Sequence, residues 1–300
     1  MKVAITGATG LIGKKIVKKL VEGGDQVLVL TRSIEKTRGI FPPEVDLAKW
    51  DIRSKEWHKV LEGVDAIVHL AGENVMGKRW NNEHKKKILE SRVLGTRSIV
   101  DAIYKMGSRP KVLVGASAVG YYGNSEKQVD ELSNEGAGFL ADVVKAWECE
   151  TAKVEQLNVR RVNVRIGIVL DKKEGALAKL LTPFKYFIGG PLGSGKQWFP
   201  WIHVDDVVDL FLYSIHSDIN GAVNAVSPGI VRMNEFCSVL GKVMKRPSFF
   251  KVPEFILRIV IGEAAEEILS GANIYPKRTI ELGYKFRYPN LQSALKEILL

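Results

Sequence analysis

Residues 5 to 13 read ITGATGLIG, ending on Gly13. The run before this stretch, KVAIT, is β-rich, and the segment after it, KKIVKKLVEGG, is amphipathic at helical spacing and ends in glycine. Gly7, Gly10 and Gly13 therefore form G-x-x-G-x-x-G in a turn that joins a strand to a helix, and a second strand candidate begins about 20 residues on. In such a unit the glycines permit a tight turn and a close approach of the backbone to a pyrophosphate, which rests on the positive end of the helix. Few arrangements other than a parallel α/β sheet accommodate that unit.

The rest of the first 170 residues repeats the same alternation. QVLVLTR, AIVHLAG, KVLVGAS and VNVRIGIVL join KVAIT as strand candidates, and TRSIVDAIYKMG is a further amphipathic helix ending in glycine. Apolar runs this continuous indicate strands buried on both faces. The expected fold class is α/β: a doubly wound parallel Rossmann sheet with a smaller, partly interleaved C-terminal substrate subdomain. After residue 170 a Gly/Pro-rich stretch, IGGPLGSGKQWFPWIHVDD, precedes VDDVVDLFLYSI and MNEFCSVLGKVM, read as helices either side of a short strand AVNAV, and then PEFILRIVIGEAAEEIL and PNLQSALKEIL. The expected division is residues 1–170, with 200–228 returning to them, as the nucleotide-binding domain, and 171–199 with 229–300 as a lid.

Charge and cysteine usage narrow the function classes. The net charge is +10, with its densest patches at Lys14, Lys15, Lys18, Lys19 and the HKKK of residues 84 to 87. These clusters lack interleaved aromatics for base stacking, so they read as solvated helix faces and no nucleic-acid partner is expected. Cys149 and Cys237 stand far apart and form no C-x-x-C, which suggests neither a disulfide framework nor zinc; no metal is expected. No charge-free apolar run reaches bilayer length, and the chain opens on a strand instead of a signal peptide, so the expectation is a cytoplasmic protein with no membrane partner.

Two further stretches bear on the ligand. The second strand ends in Thr31, Arg32 and Ser33, where an NAD-selective site carries an acid for the ribose 2′-hydroxyl. A guanidinium and two hydroxyls suit a 2′-phosphate, so NADP(H) is the expected cofactor. GPLGSGK at 190–196 satisfies G-x-x-x-x-G-K, yet Gln197 follows where a magnesium-binding hydroxyl is required, and a triphosphate site is not expected there. The same glycine-rich and aromatic segment, with Lys196, Gln197 and Trp198, is either a flap over the substrate or a crossover between subdomains. His203 precedes a helix whose first turn holds Asp205 and Asp206, which points to capping before catalysis.

With TGATGLIG at the first turn, HLAGENV, SAVGYYG and GGPLGSGKQWFPWIHVDD further on, and a late YPNLQSAL, the chain resembles the extended short-chain dehydrogenase/reductase superfamily, and within it an NAD-dependent epimerase/dehydratase-like family. The resemblance runs almost end to end. It implies a phosphate loop at Gly7, Gly10 and Gly13, with Thr9, Leu11 and Ile12 between them, an adenosine-selecting Arg32, and an acid near the adenine at Asp51. It places Leu70, Ala71 and Gly72 beside the cofactor and Ser117 at the substrate oxygen, and it is compatible with a homodimer while leaving the oligomeric state open. Members use Tyr-x-x-x-Lys on the following helix, the lysine lowering the phenol pKa for proton transfer. Here Lys145 is present and Ala141 stands where the tyrosine belongs. Tyr121, Tyr122 and Glu148 are the candidates to supply the proton, although Glu148 reads first as a surface i,i+3 partner of Lys145. The expected activity is that of an oxidoreductase or isomerase moving hydride on a small-molecule substrate; the alternative is an NADPH-binding sensor that turns over nothing.

Overall fold

Val3, Ala4 and Ile5 are fully buried, and their side chains leave in alternate directions: Val3 and Ile5 join one apolar cluster and Ala4 another. A strand that must bury both faces needs helices on both sides, and the computed structural model, which describes residues 1–300 except 53 and 55, shows that arrangement. Seven parallel strands form the sheet: β1 (Lys2–Thr6), β2 (Gln26–Thr31), β3 (Asp46–Lys49), β4 (Ala66–His69), β5 (Val112–Ala118), β6 (Arg160–Ile166) and β7 (Gly221–Ala225). Their order is β7-β6-β5-β4-β1-β2-β3, so the chain reverses direction between β1 and β4. A crevice opens at the carboxyl ends of strands at such a switch point.

Eight longer helices accompany the sheet: α1 (Leu11–Glu22), α2 (Asn82–Lys105), α3 (Phe139–Ala152), α4 (Gly175–Lys185), α5 (Val204–His216), α6 (Met233–Met244), α7 (Glu254–Ile261) and α8 (Leu291–Leu299). Ile16, Val17 and Leu20 of α1 pack with Val207 and Phe211 of α5 on one face, and Ile99 and Ile103 of α2 pack with Trp50 and Trp57 on the other. The smaller subdomain has its own core, in which Leu177 and Phe184 of α4, Phe236 and Leu240 of α6 and Leu295 of α8 surround Trp201. α8 begins where Asn290 accepts the N–H groups of Gln292 and Ser293, a side-chain cap.

Two expected elements divide. The run 162–170 is not one strand: β6 stops at Ile166, and Ile168–Leu170 pairs instead with Trp201–His203 in a separate two-stranded sheet. Gly167 makes the break, since a Cβ there would lie 2.4 Å from the carbonyl oxygen of Pro200, whose chain crosses the strand at that point. Likewise 253–269 is two helices, α7 and Ala265–Leu269, parted at Gly262, whose φ of +66° ends α7.

The basic clusters are largely neutralised by their neighbours. Lys15 pairs with Asp205 at 3.1 Å, Lys19 with Asp209 and Lys14 with Glu174, so the charge on α1 ties that helix to α5 and to the start of α4. Lys85, Lys86 and Lys87 pair with Glu263, Glu90 and Glu83. Asp206 is buried and accepts the N–H groups of Arg287 and Tyr288, anchoring the chain that leads into α8. Amides of the 190–196 look-alike loop are already spent: Gly193 N–H donates to the Val252 oxygen, Gly195 N–H to the Leu192 oxygen and Lys196 N–H to Ser194 Oγ.

Candidate active site

The loop between β1 and α1 is built by close backbone approaches. Gly7 has φ +70°, and a Cβ on it would meet the Ala71 nitrogen at 2.8 Å, while one on Gly13 would meet the Gly7 oxygen at 2.5 Å. Gly10 differs: its hypothetical Cβ touches only the Gly7 oxygen, at 3.4 Å, so its open side faces outward. No side chain caps the N-terminus of α1 and no acid occupies its first turn. Amides at such a terminus are satisfied by a ligand or by water, and the helix dipole favours an anion there. Exposed Thr9 and Gly10 and half-buried Leu11 and Ile12 border this terminus. Arg32 and Asp51 are both exposed beyond the ends of β2 and β3. These residues suit a dinucleotide, with backbone for the pyrophosphate and a cation for the far end.

Beneath the loop lies a network that sequence reasoning missed. Thr6 Oγ1 is 2.6 Å from His69 Nδ1 and accepts the Ala71 N–H, and His69 Nε2 is 3.1 Å from Thr96 Oγ1. The imidazole thus joins β1, β4 and α2 just below Leu70, Ala71 and Gly72. Burial, helped by the nearby charge of Arg92, pulls its pKa down to about 4. Arg92 is itself packed against Gly72 and over the Trp147 ring, and burial lowers its pKa to about 10.

At the ends of β5 and β6 the centre is Arg165, also unforeseen. Its side chain is 5% exposed and clasps Glu148 with two bonds of 2.9 Å, from Nε to Oε1 and from Nη2 to Oε2. Ser117 Oγ donates to the same Glu148 Oε1 at 2.6 Å. Arg165 Nη1 donates to the Tyr122 hydroxyl at 2.9 Å, which donates onward to Asn224 Oδ1 at 2.8 Å. The guanidinium also lies 3.5 Å from the Tyr121 ring centroid, a cation–π contact. Burial opposes the charge on Arg165, but its bonds to Glu148 and Tyr122 outweigh it and raise the pKa. A lone arginine inside an otherwise apolar strand run was the signal for this cluster, because a buried cation requires a partner.

The expected catalytic residues are therefore only partly assembled together. Glu148 is not a surface partner of Lys145; it faces inward to Arg165 and Ser117. Lys145 lies on the exposed side of α3, paired with Glu135. Tyr122 is buried, its hydroxyl committed to Asn224, and burial raises its pKa to about 12. Tyr121 is half-buried, with its hydroxyl 3.5 Å from Glu135 Oε2. Ala141 is buried. His203 caps α5 by accepting the Asp205 N–H, and its Nε2 lies 2.8 Å from Glu297. Although its nitrogens and the Asp205 and Glu297 carboxylates converge within 4.8 Å, both ring nitrogens are already engaged. Of the lid candidates, Gln197 is buried and bonded to backbone, and Trp198 stacks on Arg232.

A parallel sheet in this order, with a glycine-rich turn after its first strand and an uncapped helix terminus at its switch point, defines a Rossmann dinucleotide-binding protein. Residues 3–167 match the NAD dependent epimerase/dehydratase family, and the chain belongs to that family; residues 252–298 match a domain of unknown function, DUF1731. The chloroplast epimerase family protein SDR39U1 homolog of Arabidopsis thaliana is 43% identical, with the alignment covering 100% of this chain and 87% of that protein. Epimerase family protein YfhF of Bacillus subtilis is 33% identical, over 100% and 98%. The crystal structure of human epimerase family protein SDR39U1 (isoform 2) with NADPH superposes with a TM-score of 0.90 at 33% identity, covering 99% of both chains. UDP-glucuronic acid 4-epimerase from Bacillus cereus, at 17% identity and a TM-score of 0.79, shares the fold.

Four variants test this geometry. Gly10→Ala should fold normally and bind dinucleotide at least about tenfold more weakly in a fluorescence titration, whereas Gly13→Ala should lose about 1–3 kcal/mol of stability by overpacking. The unfolded chain protonates His69 near pH 6.5 and the folded chain only near 4. Stability should thus be intact above pH 6.5 and fall by about 3 kcal/mol as pH drops to 4; a His69→Gln variant should show a flatter profile in denaturant melts across that window. Glu148→Ala, which leaves Arg165 buried and unpaired, should cost about 3–5 kcal/mol.

Proposed function

We propose that the protein is an NADP(H)-dependent oxidoreductase or isomerase acting by hydride transfer on a small substrate at the carboxyl edge of β4, β5 and β6. The observation that carries the cofactor choice is Arg32, exposed at the end of β2 where an NAD-selective site has an acid. In this reading the backbone from Gly7 to Gly13 holds the pyrophosphate and Arg32 holds the 2′-phosphate. The human relative solved with NADPH supports the same choice.

Bound NADPH would supply the hydride; the chain must supply the proton. Ser117 has its hydroxyl hydrogen fixed on Glu148, so its free lone pairs suit it to accept from a substrate hydroxyl and orient it. Tyr122 is sequestered. Tyr121 is left as the proton donor at this edge: among the described residues its hydroxyl makes only the long contact with Glu135, and Glu135 and Lys145 connect that position to solvent. Arg165 beneath the ring holds Tyr121 and Glu148 in register.

The test is a titration with NADPH and NADH followed by single-turnover assays on a panel of small carbonyl compounds. Arg32→Glu should weaken NADPH by the 1.5–3 kcal/mol typical of a charge-assisted bond, about 10- to 100-fold, while leaving NADH little changed. Tyr121→Phe should keep NADPH affinity and lose roughly 10²–10⁴ in turnover. Equal turnover in Tyr121→Phe would remove Tyr121 from the mechanism. Tight NADPH binding with no hydride loss to any member of the panel would favour a non-catalytic NADPH sensor.

A further inference from the structure

A cluster of exposed apolar side chains lies away from the cleft, on the smaller subdomain. None of the eight residues of α7 is buried, and Phe255, Ile256, Ile259 and Val260 face solvent together. Tyr186, Phe187 and Ile188, just after α4, are more than half exposed, and Phe249 and Phe250 stack on one another at 4.5 Å in the segment leading to α7. These pieces form one surface. Phe250 N–H donates to the Gly189 oxygen, Val252 N–H to Pro191 and Gly193 N–H to Val252, so the two segments run side by side before α7 begins. Arg246 lies 4.3 Å from the Phe187 ring centroid, and Phe187 holds a left-handed backbone (φ +63°) that presents its ring at the tip. Soluble surfaces rarely expose a patch of this kind without a partner.

Charge identifies the partner. Residues 176–190 and 242–261, which carry the patch, contain seven lysines and arginines against a single acid, Glu254, whereas the whole chain has 44 cations to 34 acids. Lys179, Lys185, Lys242, Lys245 and Lys251 are exposed around the apolar residues, while Arg258 is paired with Glu266. A second copy of the chain docked on the same face would oppose these like charges. Aromatic and aliphatic side chains ringed by cations match a bilayer interface with anionic headgroups. Among the described residues no helix is long and apolar enough to cross a membrane, so the contact would be a peripheral one. We propose that this face docks the protein on anionic lipid surfaces, with α7 and the 186–188 and 249–250 tips entering the headgroup layer and the lysines meeting the lipid phosphates.

The experiment is co-sedimentation of the full chain with vesicles of phosphatidylcholine alone and of phosphatidylcholine containing phosphatidylglycerol, at low and at half-molar salt. Thermal melts serve as the folding control, independent of any nucleotide. Binding to the anionic vesicles should exceed binding to the neutral ones by about tenfold and fall at high salt. The triple variant Phe249→Ser, Phe255→Ser, Ile259→Ser and the double variant Lys185→Glu, Lys251→Glu should each lose it while melting as the wild type does. Three results overturn the proposal: no binding to anionic vesicles, binding that neither variant alters, or a dimer in sedimentation equilibrium that the triple variant dissociates without any vesicle binding.

Discussion

Arg165 carries a full charge into the buried carboxyl end of a parallel sheet, and its desolvation organises the region around it. An unpaired guanidinium at that depth would take a large share of a domain's net stability. The chain answers with a bidentate carboxylate from α3, a phenol from the turn after β5 and a second aromatic ring across the guanidinium face. Each answer removes a side chain from other work: Glu148 is no longer free to pair with Lys145, and Tyr122 becomes part of the scaffold. Ser117, itself buried, is oriented by Glu148, and Tyr121 is held by its ring against Arg165 with its hydroxyl 3.5 Å from Glu135 Oε2.

A comparable economy holds at the switch point. Gly7 and Gly13 bring β1, α1 and β4 so close that no side chain fits between them, and the Thr6, His69 and Thr96 network fastens the same junction from below. The loop is rigid because it is packed from behind, and its outward side, at Gly10, stays clear. Preformed amides at an uncapped helix terminus need no rearrangement to receive an anion. The lysines of α1, which by composition resemble an anion-binding patch, serve instead to clamp α1 on α5.

The parallel sheet and the glycine turn after its first strand could be read from the chain because each depends on local pattern: strand and helix periodicity and glycine spacing. The capping role of His203 was legible for the same reason, being settled within three residues. The division of 162–170 and of 253–269 was not, because Gly167 and Gly262 break their elements where another segment, Pro200 in one case and Arg79 in the other, lies against them. The pairing of Glu148 was misread because i,i+3 spacing on a helix places Lys145 nearby but does not reveal that β6 offers a buried arginine to the same carboxylate.

By itself, then, the sequence determined that a strand, a glycine turn and a helix would make a dinucleotide cradle within a doubly wound α/β fold, since those features are short-range and repeat with fixed periods. Tertiary structure alone decided which titratable groups meet. Glu148 and Arg165 are 17 residues apart, Tyr122 and Asn224 are 102 apart, and Thr6 and His69 are 63 apart. Their partnerships follow from strand order and from the cost of burying charge, and neither is written in the spacing of residues along the chain.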